Sequence, residues 1–365
     1  MTNSDERPGT GGITYAGAGV DIDAAEQTVR RYGEIARRTA GPEVLSGVGP
    51  FAGLFRLAGY RDPVLAASAD GVGTKLVIAG ALGRYDSVGR DLVNHCTNDI
   101  LPSGAEPLFF LDYLASADLS QEARVELVGG VGAACEDLGI ALIGGETADL
   151  PDVYLPGVYD LAGFIVGAVE RDEIIDGSRL AAGDALIALP SSGLQTNGYS
   201  LVREIWGVGK GLGDDHDREV LETRYEELGG TLGDALLAVH GCFLEPLRPL
   251  LARVHAIAHI TGGGIPGNLS RIFPDELGAV VDPSTWEVPA LFELIRRTGG
   301  VEDGEMWRTF NMGAGLIVAV DAADAESMIA ELPGAWRIGE VAARGADEPA
   351  VVGLEGPGGL EGRDG

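Results

Sequence analysis

Val64-Leu65-Ala66-Ala67-Ser68-Ala69-Asp70-Gly71-Val72-Gly73-Thr74-Lys75 runs from a short apolar segment into a glycine turn that carries a carboxylate, a hydroxyl and an ammonium. Residues 64–69 have the length and apolarity of a buried strand, and Asp70 and Gly71 end it. Only two lysines, Lys75 and Lys210, occur in 365 residues, and arginine supplies the other 24 basic side chains. A lysine beside a glycine turn and an acid suits a magnesium–nucleotide site. Asp70 would hold the metal, Gly71 and Gly73 would let the backbone approach phosphate oxygens, and the Lys75 ammonium would neutralise their charge. An ordinary strand-to-helix turn with a solvated lysine accounts for the same residues, and both readings stay open on this stretch alone.

Outward from this turn, apolar positions 88, 92, 96 and 100 recur every four residues and predict a helix over 86–104. Residues 108–114 read as a strand, 120–138 as a helix capped by Ser120, and 140–143 and 161–169 as further strands. The order β-α-β-α-β-β predicts a sheet covered by helices on one face. A polar, glycine-containing segment, 172–183, suggests a domain boundary. Beyond it, strands are expected at 185–189, 255–260 and 315–320, with helices from 199 and over 265–272. Residues 207–233, charged and glycine-rich, read as an exposed insertion. The fold class is α+β with two domains, 13–175 and 176–345, between a disordered N-terminus (1–12) and a disordered tail (346–365).

Composition narrows the function classes. A net charge of −30 argues against nucleic-acid binding and adhesion to anionic membranes. No apolar run reaches the roughly 20 residues that span a bilayer, and residues 1–12 lack the apolar core of a secretory signal. Cys96, Cys135 and Cys242 are too few and scattered for a disulfide framework. A cytoplasmic protein acting on a small molecule is expected.

Several segments carry chemistry-bearing residues. Asp91, His95 and Asp99 fall at i, i+4 and i+8 on the helix 86–104, with Asn98 beside them. A solvent-facing stripe is the plain alternative. Asp112 interrupts the apolar run 108–114 and either faces solvent or enters a cleft. Gly144-Gly145-Glu146-Thr147 follows a strand much as Asp70-Gly71 does, so two strand ends would deliver acids to one metal site. Ser191, Ser192, Gly193 and Asn197 lie between a strand and a helix, as do Gly262, Gly263 and Gly264, and both suit anion binding at a helix start. Among five scattered histidines only His95 falls in a motif.

Ten segments in register give the chain its resemblance to the phosphoribosylformylglycinamidine cyclo-ligase family. They are YAGAGVDID (15–23), DGVGTK (70–75), NDIL (98–101), GAEPLFFLDY (104–113), GGET (144–147), YDLAG (159–163), PSSG with NGYSLV (190–193, 197–202), AHITGGG (258–264), RTFNMG (308–313) and IGEV (338–341). The resemblance implies two α+β domains, a homodimer built on the N-terminal, ATP-binding domain, and ATP with Mg²⁺ as cofactors. It implies that ATP converts formylglycinamidine ribonucleotide, a phosphoribosyl substrate, into aminoimidazole ribonucleotide. Carried over by motif, Asp70, Asp99 and Glu146 would be Mg²⁺–phosphate ligands, Lys75 the phosphate neutraliser and Asn98 a positioning group. Asp112 would orient the amidine. Gly71, Gly73, Thr74, Gly144, Gly145, Ser191, Ser192, Gly193, Asn197 and Gly262–Gly264 would line the nucleotide or substrate cleft.

Four departures stand out, the first being that a basic residue of the family's first helix is replaced around Tyr32–Gly33, with Arg30 and Arg31 nearby. Gln195 and Thr196 occupy the place of a family histidine–serine pair, residues 239–245 read VHGCFLE where the family carries a basic PTRIYVK-like run, and His95 replaces a small or apolar residue. Arg248 and Arg253 are nearby candidates to replace the lost cations. Two alternatives stay open: a related amide-activating synthetase with another substrate, and a nucleotide-binding paralogue without catalysis. Selenophosphate synthetase is disfavoured by the lack of an early cysteine, and thiamine-monophosphate kinase by the GAEPLFFLDY and NGYSLV segments.

Overall fold

The computed structural model describes residues 22–354. Expectations for residues 1–12, most of the 15–23 motif and the tail from 355 lie outside the described residues.

The first half runs through α1 (Ile22–Thr39), a ribbon of β1 (Val44–Ser46) and β2 (Leu54–Phe55), β3 (Pro63–Gly71), α2 (Lys75–Leu82), α3 (Asp86–Ile100), β4 (Glu106–Ser116), α4 (Gln121–Leu138), β5 (Ala141–Asp149) and β6 (Tyr159–Glu170). The strands form one sheet in the order β3-β6-β4-β5, antiparallel except for the β4–β5 pair. Ser120 caps α4 by accepting a hydrogen bond from the Ala123 N–H at 3.2 Å. Val88, Leu92, Cys96 and Ile100 are buried as their spacing predicts. Helices α3 and α4 cross where two glycines meet. A Cβ on Gly130 would lie 2.1 Å from the Asp86 carbonyl oxygen, and one on Gly89 2.2 Å from that of Leu127, so only glycine permits this approach. The helices cover one face of the sheet, while Leu65 and Phe164 stand exposed on the other.

The second half contains β7 (Ala185–Pro190), α5 (Tyr199–Trp206), α6 (Asp214–Glu222), the ribbon β8 (Arg224–Tyr225) and β9 (Gly230–Thr231), α7 (Leu232–Leu236), α8 (Leu244–Leu247), β10 (Val254–His259) and α9 (Gly264–Leu269). It ends with β11 (Leu277–Val281), α10 (Ala290–Gly299), α11 (Asp303–Thr309), β12 (Ala314–Val320), α12 (Ala325–Glu331), β13 (Trp336–Ala343) and β14 (Val351–Val352). Six strands form a sheet in the order β10-β12-β7-β13-β11-β14. Both faces of its centre are buried. Ile187, Leu316 and Val318 pack with Leu247 and Met328 on one side, and Leu186, Ile317 and Ala319 with Ile265 and Leu269 on the other. This accounts for the unbroken apolar runs of β7 and β12.

Two boundary expectations are corrected. Residues 207–233 are not an exposed insertion, because α6 and α7 bury Leu221 and Leu232 in the core shared with Leu76 and Ile78. The tail does not begin at 346: Val351 and Val352 pair in parallel with Ala279 and Val280 and complete the second sheet.

Candidate active site

Helix α3 lies between the two sheets and is buried on both sides. Its apolar stripe packs on the first sheet, while Asp91, His95 and Asn98 are buried as well and Asp99 keeps a partly exposed side chain. The polar stripe therefore faces the second half of the chain, and the solvent-facing alternative is set aside.

Asp70, at the end of β3, and Asp99, on α3, are brought together by His95. His95 Nε2 lies 2.7 Å from Asp70 Oδ2 and 3.7 Å from Asp99 Oδ2, and the Ser68 hydroxyl donates to Asp99 Oδ2 at 3.1 Å. Burial works against the charge on Asp70, but the His95 hydrogen bond and charge and the Gly71 N–H outweigh it and hold the carboxyl below its ordinary range. Burial also opposes charge on His95, and the Asp70 hydrogen bond with the charges of Asp99, Asp70 and Asp91 outweighs it, raising the imidazole above its usual value. The Asp70 side chain is 47% exposed and that of Asp99 22%, so the pair faces outward and can meet a ligand.

The loops of the second half close around this pair. Gly73 turns with φ +61 and its Cβ position lies 4.0 Å from the Thr196 carbonyl oxygen. The Thr74 and Ser200 hydroxyls are 3.2 Å apart. Asn197 Oδ1 lies 3.3 Å from the Cβ position of Gly262. Asn268 Nδ2 donates to the carbonyls of Thr261, Gly262 and Gly264 and so fixes the glycine loop. Ser191 Oγ donates to Asn311 Oδ1, and Asn311 Nδ2 donates to the Gly193 carbonyl. The Ser192 hydroxyl donates to the Val239 carbonyl and accepts from the Gly241 N–H. Asp70, Asp99, Gly71, Gly73, Thr74, Asn197 and the Ser191–Gly193 and Gly262–Gly264 loops thus sit around one junction. Beside them, Gln195 adopts φ +62 with both polar atoms of its amide buried and unpartnered.

Other expected site residues lie elsewhere. Lys75 is fully buried. Its Nζ pairs with Asp91 Oδ2 at 2.6 Å and donates to the Ala238 carbonyl at 2.8 Å, so it is not the free phosphate neutraliser expected. Asn98 is also fully buried. Its amide donates to the Gly241 carbonyl and accepts from the Phe243 N–H, so it joins the halves of the chain instead of lining a cleft.

Glu146 pairs with Tyr113 in the β4–β5 ladder and faces the helix-free side of the sheet, opposite Asp70. It borders a hollow of about 380 Å³ with Gly144, Gly145, Tyr113, Phe164 and Phe51. The acids of two strand ends therefore do not share a metal within this chain.

Asp112 lies in one row with Gly163 and Asp70, on the helix-covered face. Leu92 and Phe110 fill the space above Gly163 and separate the two carboxyls. Burial pushes Asp112 up to about 7. Arg248 pairs with Glu106 and Glu245, and Arg253 with Glu331, so neither replaces a cation at the junction.

The sequence reading passed over His240 and His259. The three ring centroids of His95, His240 and His259 are 5.2–5.4 Å apart. Thr196 Oγ1 lies 2.6 Å from His95 Nδ1 and 3.3 Å from His240 Nδ1, and His259 Nδ1 lies 2.9 Å from Asp99 Oδ1. Three of the four departures from the family pattern, His95, Gln195-Thr196 and the 239–245 segment, therefore meet in one place. Their coincidence was the signal that sequence could have supplied.

Residues 52–169 match the N-terminal domain model of AIR synthase related proteins and residues 181–352 the C-terminal domain model. Among solved structures, hydrogenase maturation protein HypE in complex with ATP is similar in fold (TM-score 0.61, 19% identity, 87% of this chain and 88% of that one). So is thiamine-monophosphate kinase from Stenotrophomonas maltophilia (TM-score 0.58, 19% identity, 87% and 94%). Phosphoribosylformylglycinamidine cyclo-ligases from two strains of Xanthomonas campestris pv. campestris, 8004 and B100, are each 45% identical over 350 residues, covering 93% of this chain and all of theirs. An identity of that size over 350 residues, together with the match to both domain models, means that this chain belongs to the phosphoribosylformylglycinamidine cyclo-ligase family.

Proposed function

We infer that this chain uses ATP to close the imidazole ring of formylglycinamidine ribonucleotide, giving aminoimidazole ribonucleotide, ADP and phosphate. An amide oxygen is a poor leaving group. Transfer of the γ-phosphoryl group to that oxygen, with loss of ADP, converts it into a good one. The neighbouring amidine nitrogen then attacks the activated carbon, the C–O bond breaks, phosphate leaves and the nitrogen gives up its proton. This chemistry needs charge neutralisation and alignment more than a protein nucleophile. The observation that carries the site assignment is the convergence of the partly exposed Asp70 and Asp99 at the junction with the Ser191–Asn197 and Thr261–Gly264 loops.

The same pair fits Mg²⁺, since two partly exposed carboxylates offer hard oxygen donors within reach of one ion. Held there by Asp70 and Asp99, Mg²⁺ would offset the charge of the phosphate groups. Asp70 stays ionised at neutral pH, held so by His95, and is oriented by the same contact.

The reading extends to assembly and location. Residues 13–175 carry nucleotide binding and pairing, and residues 176–345 supply the loops that close the site. Two copies pair through the helix-free face of the first sheet, a reading supported by the exposed apolar side chains of Leu65, Phe164 and Phe51. The chain works in the cytoplasm, which fits three unpaired cysteines. Among the described residues no helix is long and apolar enough to cross a membrane. The test is direct: purified chain, formylglycinamidine ribonucleotide and Mg-ATP should yield aminoimidazole ribonucleotide with one ADP per ring. ATP hydrolysis without that product would point to a different amide substrate.

A further inference from the structure

Hydrogen-bond accounting fixes the tautomers around the three buried histidines. Asn98 is oriented by two backbone contacts, so its second N–H points at His240 Nε2, 3.2 Å away. His240 Nε2 is therefore an acceptor, and its proton sits on Nδ1, facing the Thr196 hydroxyl. His259 faces the Asp99 carboxylate with Nδ1, which consequently carries the proton. Its Nε2 is left with a lone pair aimed at His240 Nε2 across 3.3 Å. The His240 lone pair is engaged by the Asn98 N–H, whereas the His259 lone pair faces no donor in this buried place.

The spacing matches a metal. Tetrahedral zinc binds imidazole nitrogen at 2.0–2.1 Å, which places neighbouring donors about 3.3–3.4 Å apart. One ring nitrogen of His95 lies within 4.8 Å of the other two donors. Two of the three imidazoles also have the carboxylate partner common behind metal-binding histidines: Asp99 for His259 and Asp70 for His95. These carboxylates reach the surface and mark an entry path.

We propose that His95, His240 and His259 bind a borderline divalent transition-metal ion of the zinc class, at a nitrogen site distinct from the oxygen donors of Asp70 and Asp99. His95 comes from α3 on the first sheet, whereas His240 and His259 come from the second half. The ion would therefore cross-link the two halves.

The test uses the full, untagged chain, stripped by a chelator and titrated with Co²⁺. One equivalent should bind with the visible absorption of nitrogen-ligated, four-coordinate cobalt. Zn²⁺ should displace it and raise the melting temperature, and excess Mg²⁺ should not displace it. His240→Ala and His95→Leu should each weaken binding by roughly 100-fold or more, beyond the range for losing an outer partner. His216→Ala, on α6 and outside the cluster, should change nothing. Should His240→Ala fail to fold, His95→Leu and the unmodified chain still decide the matter. No saturable Co²⁺ uptake by the unmodified chain would overturn the proposal. So would uptake that survives loss of His95.

Discussion

Lys75 Nζ and Asp91 Oδ2 meet at 2.6 Å with neither side chain exposed to solvent. Lys75 opens α2 and Asp91 sits on α3, yet both reach into the second half of the chain. Lys75 donates to the Ala238 carbonyl, and Asp91 Oδ1 accepts from the His240 N–H at 2.7 Å. The pair thus bolts the segment 238–240 to the first sheet's helices and sets the place of His240. Burial lowers the lysine and raises the aspartate, each partly restrained by the other's charge.

Breaking that pair should destabilise the fold more than it alters phosphate chemistry. Lys75→Met leaves a buried carboxylate without its cation, a loss of about 3–5 kcal/mol. Lys75→Met with Asp91→Leu removes both charges and should recover much of that stability, because apolar replacements of buried pairs are often neutral. Urea midpoints of the single and double variants measure this. Full stability in Lys75→Met with lost ATP turnover would return the lysine to the phosphate.

Asp70→Asn and Asp99→Asn should each lower turnover by roughly 100- to 1000-fold, the scale of losing one preorganised electrostatic contact. Both side chains are partly exposed, so the melting temperature should move little. Glu146→Gln, on the opposite face of the sheet, should leave nucleotide binding to the chain unchanged. Steady-state assays with Mg-ATP, alongside nucleotide titrations, distinguish the three. Loss of nucleotide binding in Glu146→Gln would place that acid at the phosphates after all.

Much of this architecture is legible in the residues, and the gaps have physical causes. The strand at 64–69, the fourfold spacing on α3 and the Ser120 cap follow from local periodicity and capping, which depend on near neighbours in sequence. Which face of the sheet an acid takes depends on register, and that separates Glu146, inside β5, from Asp70, although in sequence each reads as a strand end beside glycine. Lys75 resembles a phosphate ligand until Asp91, sixteen residues on, proves close enough to claim it. The histidine cluster joins residues 95, 240 and 259, and local pattern carries no information about such distant contacts. Residues 207–233 looked like an insertion because charged positions outnumber the few apolar ones, Val208, Leu221 and Leu232 among them, that are buried.

Asp112 predicts an unusual pH dependence. Its carboxyl, pushed up to about 7 by burial among Tyr32 and Cys135, holds a proton in the folded chain that the unfolded chain releases near 3.8. Between those values the folded state binds more protons, so this group's contribution falls as pH rises from about 4 to 7. Above 7 the buried charge costs on the order of 4 kcal/mol. Asp112→Asn should therefore stabilise the protein at pH 8, have little effect near pH 4 and flatten the slope between. Urea unfolding across that range checks it; identical slopes in both proteins would remove Asp112 as the source.

The helix-free sheet face gives the last expectation. Phe164 and Leu65 lie on the same face of the sheet, on β6 and β3 and four register positions apart, with 45% and 61% of their surface exposed, so neither supports the core of a single chain. If two copies pair there, symmetry makes each substitution count twice. Burial of one such side chain contributes about 1.5–3 kcal/mol, and a carboxylate in its place adds a desolvation cost. Phe164→Glu should then weaken the dimer by roughly 1000-fold or more, with the melting temperature of the monomer little changed. Sedimentation equilibrium of the unmodified chain and of Phe164→Glu and Leu65→Glu measures this directly. A dimer that persists in both variants would place the contact on another surface, since two adjacent charges cannot remain buried and unpaired across a self-matching face.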